Sequence, residues 1–238
     1  MGNTWRIIVQ QALRRFGWEI RRFTRTELQQ LILLLTENKI DLVFDVGANE
    51  GQYASSLRSA GYAGRIISFE ALTSAHKKLE RRAASDPRWQ VAPRTAVGAR
   101  AGQIEINVSR NSVSSSVLPM LPLHLESAPS SRYIGKETVP LIRLDSSEFS
   151  AINSRAFLKI DTQGFEQEVL KGATTLLPHI YGLQIEVSVV PLYAGQPSFT
   201  EVIDYALDLN YELWNLYPGF SSPTTGRLLQ VDAVFFRH

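Results

Sequence analysis

The sequence predicts an α/β fold in which a mostly parallel seven-stranded sheet ends in an antiparallel C-terminal hairpin. Short apolar strands alternate with amphipathic helices from Leu42 onward. Several of these strands end in an acidic residue beside a glycine-bearing turn. The last two predicted strands, 211–216 and 228–236, are joined by a loop rich in Pro, Gly, Ser and Thr. That loop has no room for a crossover helix, so at least one of the two strands runs antiparallel.

The elements between the motifs follow from periodicity and from capping signals. Gly61 ends the first helix after the opening strand, and Ser198 with Glu201 forms a capping box at the last helix. Asn210 is expected to end that helix in a left-handed conformation. The predicted helices cover 53–60, 73–84 and 199–209, and the predicted strands cover 42–45, 65–70, 89–91, 103–108, 139–144, 157–161 and 182–187.

Composition restricts the class of protein. With 238 residues and 44% apolar side chains, the chain can bury one full core, so we expect a main domain over 41–238 behind a helical extension over 1–40. The absence of cysteine excludes disulfides and thiolate metal sites, and it fits a cytoplasmic location. The four histidines show no ligand spacing, so no metal is predicted, and a net charge of +2 gives no reason to expect a nucleic-acid partner.

The first 25 residues form a basic amphipathic segment. Apolar side chains recur at helical spacing over 5–23, and arginines cluster away from them. Two interpretations stay open. The segment packs on the main domain or on a second copy in a homodimer, or it docks peripherally on an anionic membrane surface. A capping box of Thr26 and Gln29 then predicts a second helix over Glu27–Asn38, with its leucines against the sheet.

The most informative stretch is Leu42–Tyr53, an apolar strand that leads through a glycine-bearing turn into a helix. Asp45 stands at the end of the strand, and Gly47, Asn49 and Gly51 belong to the turn. The two glycines let the backbone approach a ligand without a Cβ, and the N–H groups of the first helical turn point at that ligand. The pattern is typical of a site for a nucleotide-like cofactor.

The charges around this turn decide between two cofactors. A dinucleotide would bring a pyrophosphate to the helix N-terminus, where Asp45 and Glu50 would repel it. S-adenosylmethionine has no phosphate, and Asp45 can hold its ammonium group directly or through water. Glu70, at the end of the next strand, is placed to accept both ribose hydroxyls. Ala96 and its neighbours either contact the adenine or simply end a strand. The sequence therefore favours S-adenosylmethionine over NAD.

A second group of acids follows along the chain. The strand 157–161 ends in Asp161, and the next strand carries Glu186 near its end. Because the carboxyl ends of parallel strands meet at one edge of a sheet, Asp45, Asp161 and Glu186 are expected to flank one crevice. A buried carboxylate needs a partner, and Lys159 shares the face of Asp161, so it can pair with Asp161 or with Glu186.

The segment 109–131 is rich in Ser, Pro and Leu and shows no period. A loop of this length in a compact domain is usually functional or disordered, and its position predicts a cover over the substrate. His124 lies within it. A histidine on a flexible cover acts as a base in some enzymes, and the alternative is that His124 is incidental.

Four stretches of this chain together resemble the FkbM family of S-adenosylmethionine-dependent O-methyltransferases: Val43–Tyr53, Lys159–Glu166, Glu168–Gly172 and Gln184–Val187. The most specific block is Lys-Ile-Asp-x-x-Gly-x-Glu. The family's usual form has Val-Glu before that glycine, and this chain has Thr162-Gln163. The resemblance, over about residues 40–237, implies a Rossmann-like class I methyltransferase fold. It also implies an acceptor hydroxyl on a sugar, a glycolipid or a related natural product.

The expected reaction is an in-line displacement in which a substrate hydroxyl attacks the sulfonium methyl. The hydroxyl needs a base, and Asp161 is the first candidate, followed by Glu186 and His124. Lys159 either holds these carboxylates charged or forms a structural ion pair with Asp161. An NAD-dependent oxidoreductase and a non-catalytic module that binds S-adenosylmethionine are the alternatives.

Overall fold

The protein is described here from a computed structural model, which covers residues 26–146, 151 and 153–237. The basic segment over 1–25, with its predicted contacts to a membrane or to a second copy, lies outside the described residues. Within the described ranges the strands are β1 Leu42–Val46, β2 Arg65–Phe69, β3 Trp89–Val91, β4 Ala96–Val97, β5 Gly102–Ser109, β6 Tyr133–Ile142, β7 Ala156–Ile160, β8 Ile180–Ser188, β9 Glu212–Pro218 and β10 Gln230–Phe236. The α-helices there are α1 Glu27–Glu37, α2 Gln52–Ser59, α3 Thr73–Ala83, α4 Pro122–Ser127, α5 Glu166–Lys171 and α6 Phe199–Asp208.

Seven strands form the main sheet, in the order β3-β2-β1-β7-β8-β10-β9. The first five in that order are parallel, and β10 runs antiparallel to both of its neighbours. The predicted mostly parallel sheet with an antiparallel C-terminal hairpin is therefore confirmed. The strand order reverses between β1 and β7, so the carboxyl ends of these two strands flank a crevice.

Helices cover both faces of the main sheet because side chains alternate along each strand. Phe44 of β1 packs in a core cluster with residues of α5 and α6, while Val43 packs on the opposite face with residues of α1, α2 and α3. Leu31 and Leu35 of α1 are buried in this second cluster, as expected of its leucines. None of the helices in the described ranges has the length and hydropathy of a membrane-spanning segment.

The capping signals form as predicted. Thr26 Oγ1 accepts a hydrogen bond from the backbone N–H of Gln29, and Gln29 Oε1 accepts one from the backbone N–H of Thr26. Ser198 and Glu201 form the same capping box ahead of α6. Asn210 follows α6 with a φ of 63°, in the left-handed region.

A second sheet of three strands, in the order β4-β6-β5, was not predicted. Strand β6 begins at Tyr133, well before the predicted start at 139, because it pairs antiparallel with the whole of β5. Ile106 and Val139 of this sheet pack against Leu72 and Ala75, which lie where β2 leads into α3. This packing places the second sheet beside the carboxyl edge of the main sheet.

The segment 109–131 differs from the irregular cover that was predicted. It contains the short helix α4, and isolated bridges tie it to β5 and to Tyr193. His124 in α4 is only 2% exposed because its ring packs against Tyr193 and Phe220, at centroid distances of 5.2 and 5.6 Å. The histidine is therefore part of a packed wall rather than of a flexible cover.

Candidate active site

Lys159 lies at the centre of the strand-end acids. Strands β1 and β7 pair with Asp45 opposite Lys159, and Asp161 follows two residues later on the same face. The Lys159 ammonium is 3.4 Å from Asp45 Oδ1 and 3.5 Å from Asp161 Oδ2, and it donates to the Gly47 carbonyl at 3.2 Å. Burial acts to lower the pKa of Lys159, but the two carboxylates raise it above its usual range. Lys159 thus pairs with Asp161, as predicted, and its second partner is Asp45 instead of Glu186.

Asp45 supports this arrangement from below. It is fully buried, and its Oδ2 accepts a hydrogen bond from Ser68 Oγ at 3.2 Å. Ser68 Oγ in turn accepts from Trp89 Nε1 at 2.9 Å. No surface of Asp45 is exposed, so its contact with a ligand ammonium, predicted as direct or through water, stays a prediction. Its role here is to hold Lys159.

The turn after β1 is shaped by residues in the left-handed region. Gly47 has a φ of 78°, and a Cβ at this position would lie 1.8 Å from the Asp161 carbonyl oxygen, so only glycine fits. Gly51 has a φ of 85° at the N-cap of α2, and a Cβ there would approach Leu79 and Trp89 within 2.9 Å. Packing of the helix on the sheet therefore explains Gly51, where the sequence had suggested ligand contact.

Glu70, directly after β2, fastens the turn to the sheet edge. One carboxylate oxygen accepts from the backbone N–H of Asn49 at 2.8 Å, and the other accepts from that of Leu72 at 2.7 Å. Burial raises the pKa of Glu70, and hydrogen bonds from backbone N–H groups oppose that shift. A carboxylate offers about four acceptor positions, so Glu70 keeps acceptor capacity for a hydroxyl group of a ligand.

A first cavity opens above this turn, between the main sheet and the second sheet. Four of the six residues predicted to bind the cofactor line it, and Asp45 and Gly51 do not. The polar part of its lining includes Gly47, Asn49, Glu70, Thr95, Asp161 and Gln163, and the apolar part includes Phe69, Ala96, Val97, Ile106 and Phe165. Ala96 thus lies where a flat apolar ring would be accommodated.

A second cavity lies on the other side of the turn that follows β7. Its lining combines three of the four predicted catalytic residues, all but Lys159, with amide, hydroxyl and aromatic groups: Asn111, Val113, Ser114, His124, Ala128, Asp161, Gln163, Glu186, Phe220 and Gln230. Val113, Asp161 and Gln163 line both cavities. The two cavities therefore meet at these three residues.

Glu186 and Asp161 are joined by a residue that the sequence analysis did not propose for the site. The Gln163 amide nitrogen donates to Asp161 Oδ1 at 2.8 Å and to Glu186 Oε2. Gln230 donates to the same Glu186 oxygen at 2.8 Å. Burial and then the charge of Asp161 raise the pKa of Glu186 well above its usual range. The one signal in the sequence was the departure of Thr162-Gln163 from the family's usual motif.

Glu166, the last acid of that motif, has a structural task that the sequence analysis also missed. Its carboxylate accepts backbone hydrogen bonds from Thr162 at 3.1 Å and from Gly164 at 2.9 Å. These bonds close the turn between β7 and α5 and fix the direction in which Gln163 leaves the backbone. Within the described ranges, no group of three or more His, Cys, Asp and Glu side chains is arranged to hold a metal ion.

His124 faces the second cavity as a neutral ring. Burial lowers the pKa of His124 to about 4. Its Nδ1 is buried and has no hydrogen-bond partner among the residues that the structure describes. A buried nitrogen without a partner costs free energy, and the ring contacts with Tyr193 and Phe220 accompany that cost.

Comparisons with known proteins agree with this layout. Residues 45–213 match the family model described as the Methyltransferase FkbM domain. Among solved structures, the chain is similar to Sp1610 of Streptococcus pneumoniae in complex with S-adenosyl-L-methionine, with 9% identity, 90% of this chain and 74% of that chain covered, and a TM-score of 0.51. It is also similar to the methyltransferase domain of bacterial CtHen1-C, with 13% identity, coverage of 88% and 96%, and a TM-score of 0.48. A search of curated proteins finds no significant match.

The structural likeness, at such low identity, shows the fold alone, and that fold is the Rossmann-like one of the class I methyltransferases. The family model covers more than half of the sequence, so the chain belongs to the FkbM methyltransferase family. Its methyl donor is S-adenosylmethionine. The first cavity fits this molecule, since Glu70 keeps acceptor capacity for ribose hydroxyls and Ala96 lies in an apolar wall suited to an adenine.

Proposed function

We propose that this protein is an O-methyltransferase whose acceptor is a hydroxyl of a sugar, a glycolipid or a related natural product. The observation that carries the proposal is that Asp161 lines both cavities. One carboxylate is thus within reach of a donor on one side and an acceptor on the other. Proximity of this kind is a large part of the acceleration in transfer reactions.

The first cavity takes the donor. Glu70 accepts the ribose hydroxyls, and the apolar wall around Ala96 contacts the adenine. When bound there, S-adenosylmethionine would supply a methyl group on a positively charged sulfur. A hydroxyl oxygen can bond to that methyl carbon as the sulfur leaves in S-adenosylhomocysteine. The turn after β1 contributes Gly47 and Asn49 to the lining of this cavity.

Asp161 accepts the proton that the acceptor hydroxyl loses. Its side chain is 32% exposed, so it is accessible from the cavities, and both oxygens have fixed partners in Lys159 and Gln163. The neighbouring Glu186 is the second candidate for the base, because burial and the charge of Asp161 raise its pKa and so disfavour the ionised form that a base needs.

The lining of the second cavity supports a neutral polyhydroxyl acceptor. Asn111, Ser114 and Gln230 offer amide and hydroxyl groups, which pair with hydroxyls. Phe220 offers a ring on which the apolar face of a sugar can lie. In the described part of the chain, no lysine or arginine lines this cavity, so a phosphate or carboxylate at the reacting end would meet only acids and neutral groups.

If the acceptor is lipid-linked, the basic segment over 1–25 would bind the membrane that carries it. Arginines of that segment would contact an anionic surface from the cytoplasmic side and bring the cavities to the acceptor. Flotation of the full chain with vesicles that contain anionic lipid, compared with a chain truncated before residue 26, tests this part. Equal flotation of both chains contradicts it.

The proposal is tested by transfer from S-adenosylmethionine with a deuterated methyl group to a panel of methyl glycosides and lipid-linked sugars. We expect a product that carries one labelled methyl ether, which mass spectrometry detects and NMR locates. Transfer to nitrogen or carbon contradicts O-methylation. Binding of S-adenosylmethionine by calorimetry without transfer to any acceptor in the panel favours the non-catalytic module.

A further inference from the structure

Gln163 has an unusual backbone for its side chain. Its φ is 56°, in the left-handed region that residues other than glycine seldom adopt, and Gly164 follows with a φ of 100°. Its carbonyl accepts a hydrogen bond from Ser116 Oγ at 2.6 Å, so a residue that lines the first cavity holds this conformation. A left-handed residue at this point turns the glutamine side chain back over the carboxyl edge of the sheet, where it is 7% exposed.

The side chain is held in one orientation by its partners. The amide nitrogen faces Asp161 Oδ1 and Glu186 Oε2, and the amide oxygen is 2.7 Å from the Tyr193 hydroxyl. An ionised carboxylate only accepts hydrogen bonds, so the amide must present its nitrogen to the acids and its oxygen to the tyrosine. The two hydrogens of one NH₂ group thus serve two carboxyl groups.

The local charge makes such a bridge necessary. Lys159 contacts Asp161 and Asp45, and no ion pair connects it to Glu186 within the described ranges. Glu186 receives hydrogen bonds from two neutral amides, those of Gln163 and Gln230. Two neighbouring carboxyl groups without a cation between them repel each other unless a donor or a proton joins them. In many enzymes a divalent cation fills that position, because carboxylate oxygens are its preferred ligands.

We propose that Gln163 is a positioning residue that holds Asp161 and Glu186 at one fixed separation, with its amide group in the place where a divalent cation would otherwise join the two carboxyl groups. The inference rests on the proposed function, because the fixed separation matters through the acceptor hydroxyl that Asp161 deprotonates. If the Gln163 amide joins the two carboxyl groups, methyl transfer by the wild-type chain needs no added metal. A change of residue 163 should then be enough to create a need for metal.

Two substitutions separate the bridge from mere packing. Gln163→Glu keeps the size of the side chain and replaces the amide by a third carboxylate. Together with the carboxylates of Asp161 and Glu186, it forms a ligand set for Mn²⁺. Gln163→Met keeps the length of the side chain and removes its amide, and with it the hydrogen bonds to Asp161, Glu186 and Tyr193. Gln167→Glu adds the same charge on the partly exposed side of α5 and is the matched control. Thermal unfolding shows which variants fold, and Gln163→Asn, whose amide is too short to span both acids, replaces any that do not.

Methyl transfer is measured with EDTA and with added Mn²⁺, and Mn²⁺ binding is measured separately by calorimetry and electron paramagnetic resonance. Wild-type protein and Gln167→Glu should transfer equally in both conditions and bind no Mn²⁺ in the cavity. Gln163→Glu should bind Mn²⁺, lose at least about tenfold in kcat with EDTA and recover with the metal. Gln163→Met should lose kcat in both conditions, while its Kd for S-adenosylmethionine stays near that of the wild type.

Three outcomes overturn the inference: wild-type transfer that EDTA abolishes and Mn²⁺ restores, a Gln163→Met variant with wild-type kcat, or a Gln163→Glu variant that binds no Mn²⁺. The proposed function fails in a different way. If the wild-type chain transfers methyl groups to no acceptor of the panel, O-methylation is refuted, and the Mn²⁺ titrations of the wild type and of Gln163→Glu still decide whether the amide stands in the place of a cation.

Discussion

Replacing Asp161 with asparagine should separate methyl transfer from cofactor binding. Asparagine keeps the shape of the side chain and an oxygen that accepts from Gln163, and the backbone bond from residue 161 to the Val46 carbonyl is unaffected. The variant loses the group that we propose accepts the hydroxyl proton. Lys159 loses one of its two ion-pair partners and keeps Asp45 at 3.4 Å. The fold should therefore survive the change.

The magnitude follows from the role of a base. A well-placed general base contributes roughly 10²–10⁴-fold to the rate, which corresponds to about 2.7–5.5 kcal/mol of activation free energy. We expect kcat to fall by at least about a hundredfold. The Kd for S-adenosylmethionine should change by less than about threefold, because the contacts assigned to ribose and adenine lie at Glu70 and Ala96 and contribute separately from the base. An ion pair whose partner is 32% exposed adds little stability, so the melting temperature should barely move.

The assay combines calorimetric titration with S-adenosylmethionine and initial rates over a range of acceptor concentrations. Asp204→Asn, on the exposed side of α6, is the matched control and should behave as the wild type in both measurements. Wild-type kcat in Asp161→Asn removes Asp161 from the mechanism and leaves Glu186 as the next candidate. A large loss of cofactor affinity with unchanged kcat would show instead that Asp161 binds the donor.

Three other changes have definite outcomes. Glu70→Ala should weaken S-adenosylmethionine by about 10–100-fold in calorimetry, since hydrogen bonds to a charged acceptor contribute about 1.5–3 kcal/mol; unchanged affinity contradicts the ribose assignment. Lys159→Met should lower the free energy of unfolding in urea by about 3–5 kcal/mol, because Asp45 stays buried without its ion-pair partner, and adding Asp45→Asn should recover much of the loss. The pKa of His124 is about 4 in the native state against 6.5 in the unfolded state, so the native state binds fewer protons and stability is lost as the pH falls from 6.5 toward 4. In His124→Gln the free energy of unfolding should fall by about 2 kcal/mol less over this pH range, after allowance for solvent screening. A plot of unfolding free energy against pH that runs parallel to the wild-type plot would contradict the lowered pKa of His124.

The architecture and the position of the acids followed from local patterns. An acid at the end of an apolar strand identifies the carboxyl edge of a parallel sheet, and Asp161 and Glu70 are found there. The pairing of Lys159 with Asp161 followed from their spacing of two along one strand. The partner Asp45 did not, because the register between β1 and β7 depends on residues more than a hundred positions apart.

The missed features share this long-range origin. Gln163 joins two strands through a left-handed turn, and its type alone gives no sign of either carboxyl group. His124 was expected on a flexible cover because 109–131 has no period, yet its burial depends on Tyr193 and Phe220, which come much later in the chain. The second sheet was missed for the same reason, since β4 pairs with a strand some forty-five residues away.

At Gly47 the floor of the donor cavity and the strand end that carries Asp161 touch backbone to backbone, with no side chain between them. Neither can shift without displacing the other, so the turn after β1 and Asp161, the proposed base, form one rigid block. New acceptors then have to be accommodated by the walls, which are the segment 109–131 and the loop around Phe220. A redesign that grafts foreign walls onto this block would change what is methylated while leaving the chemistry in place.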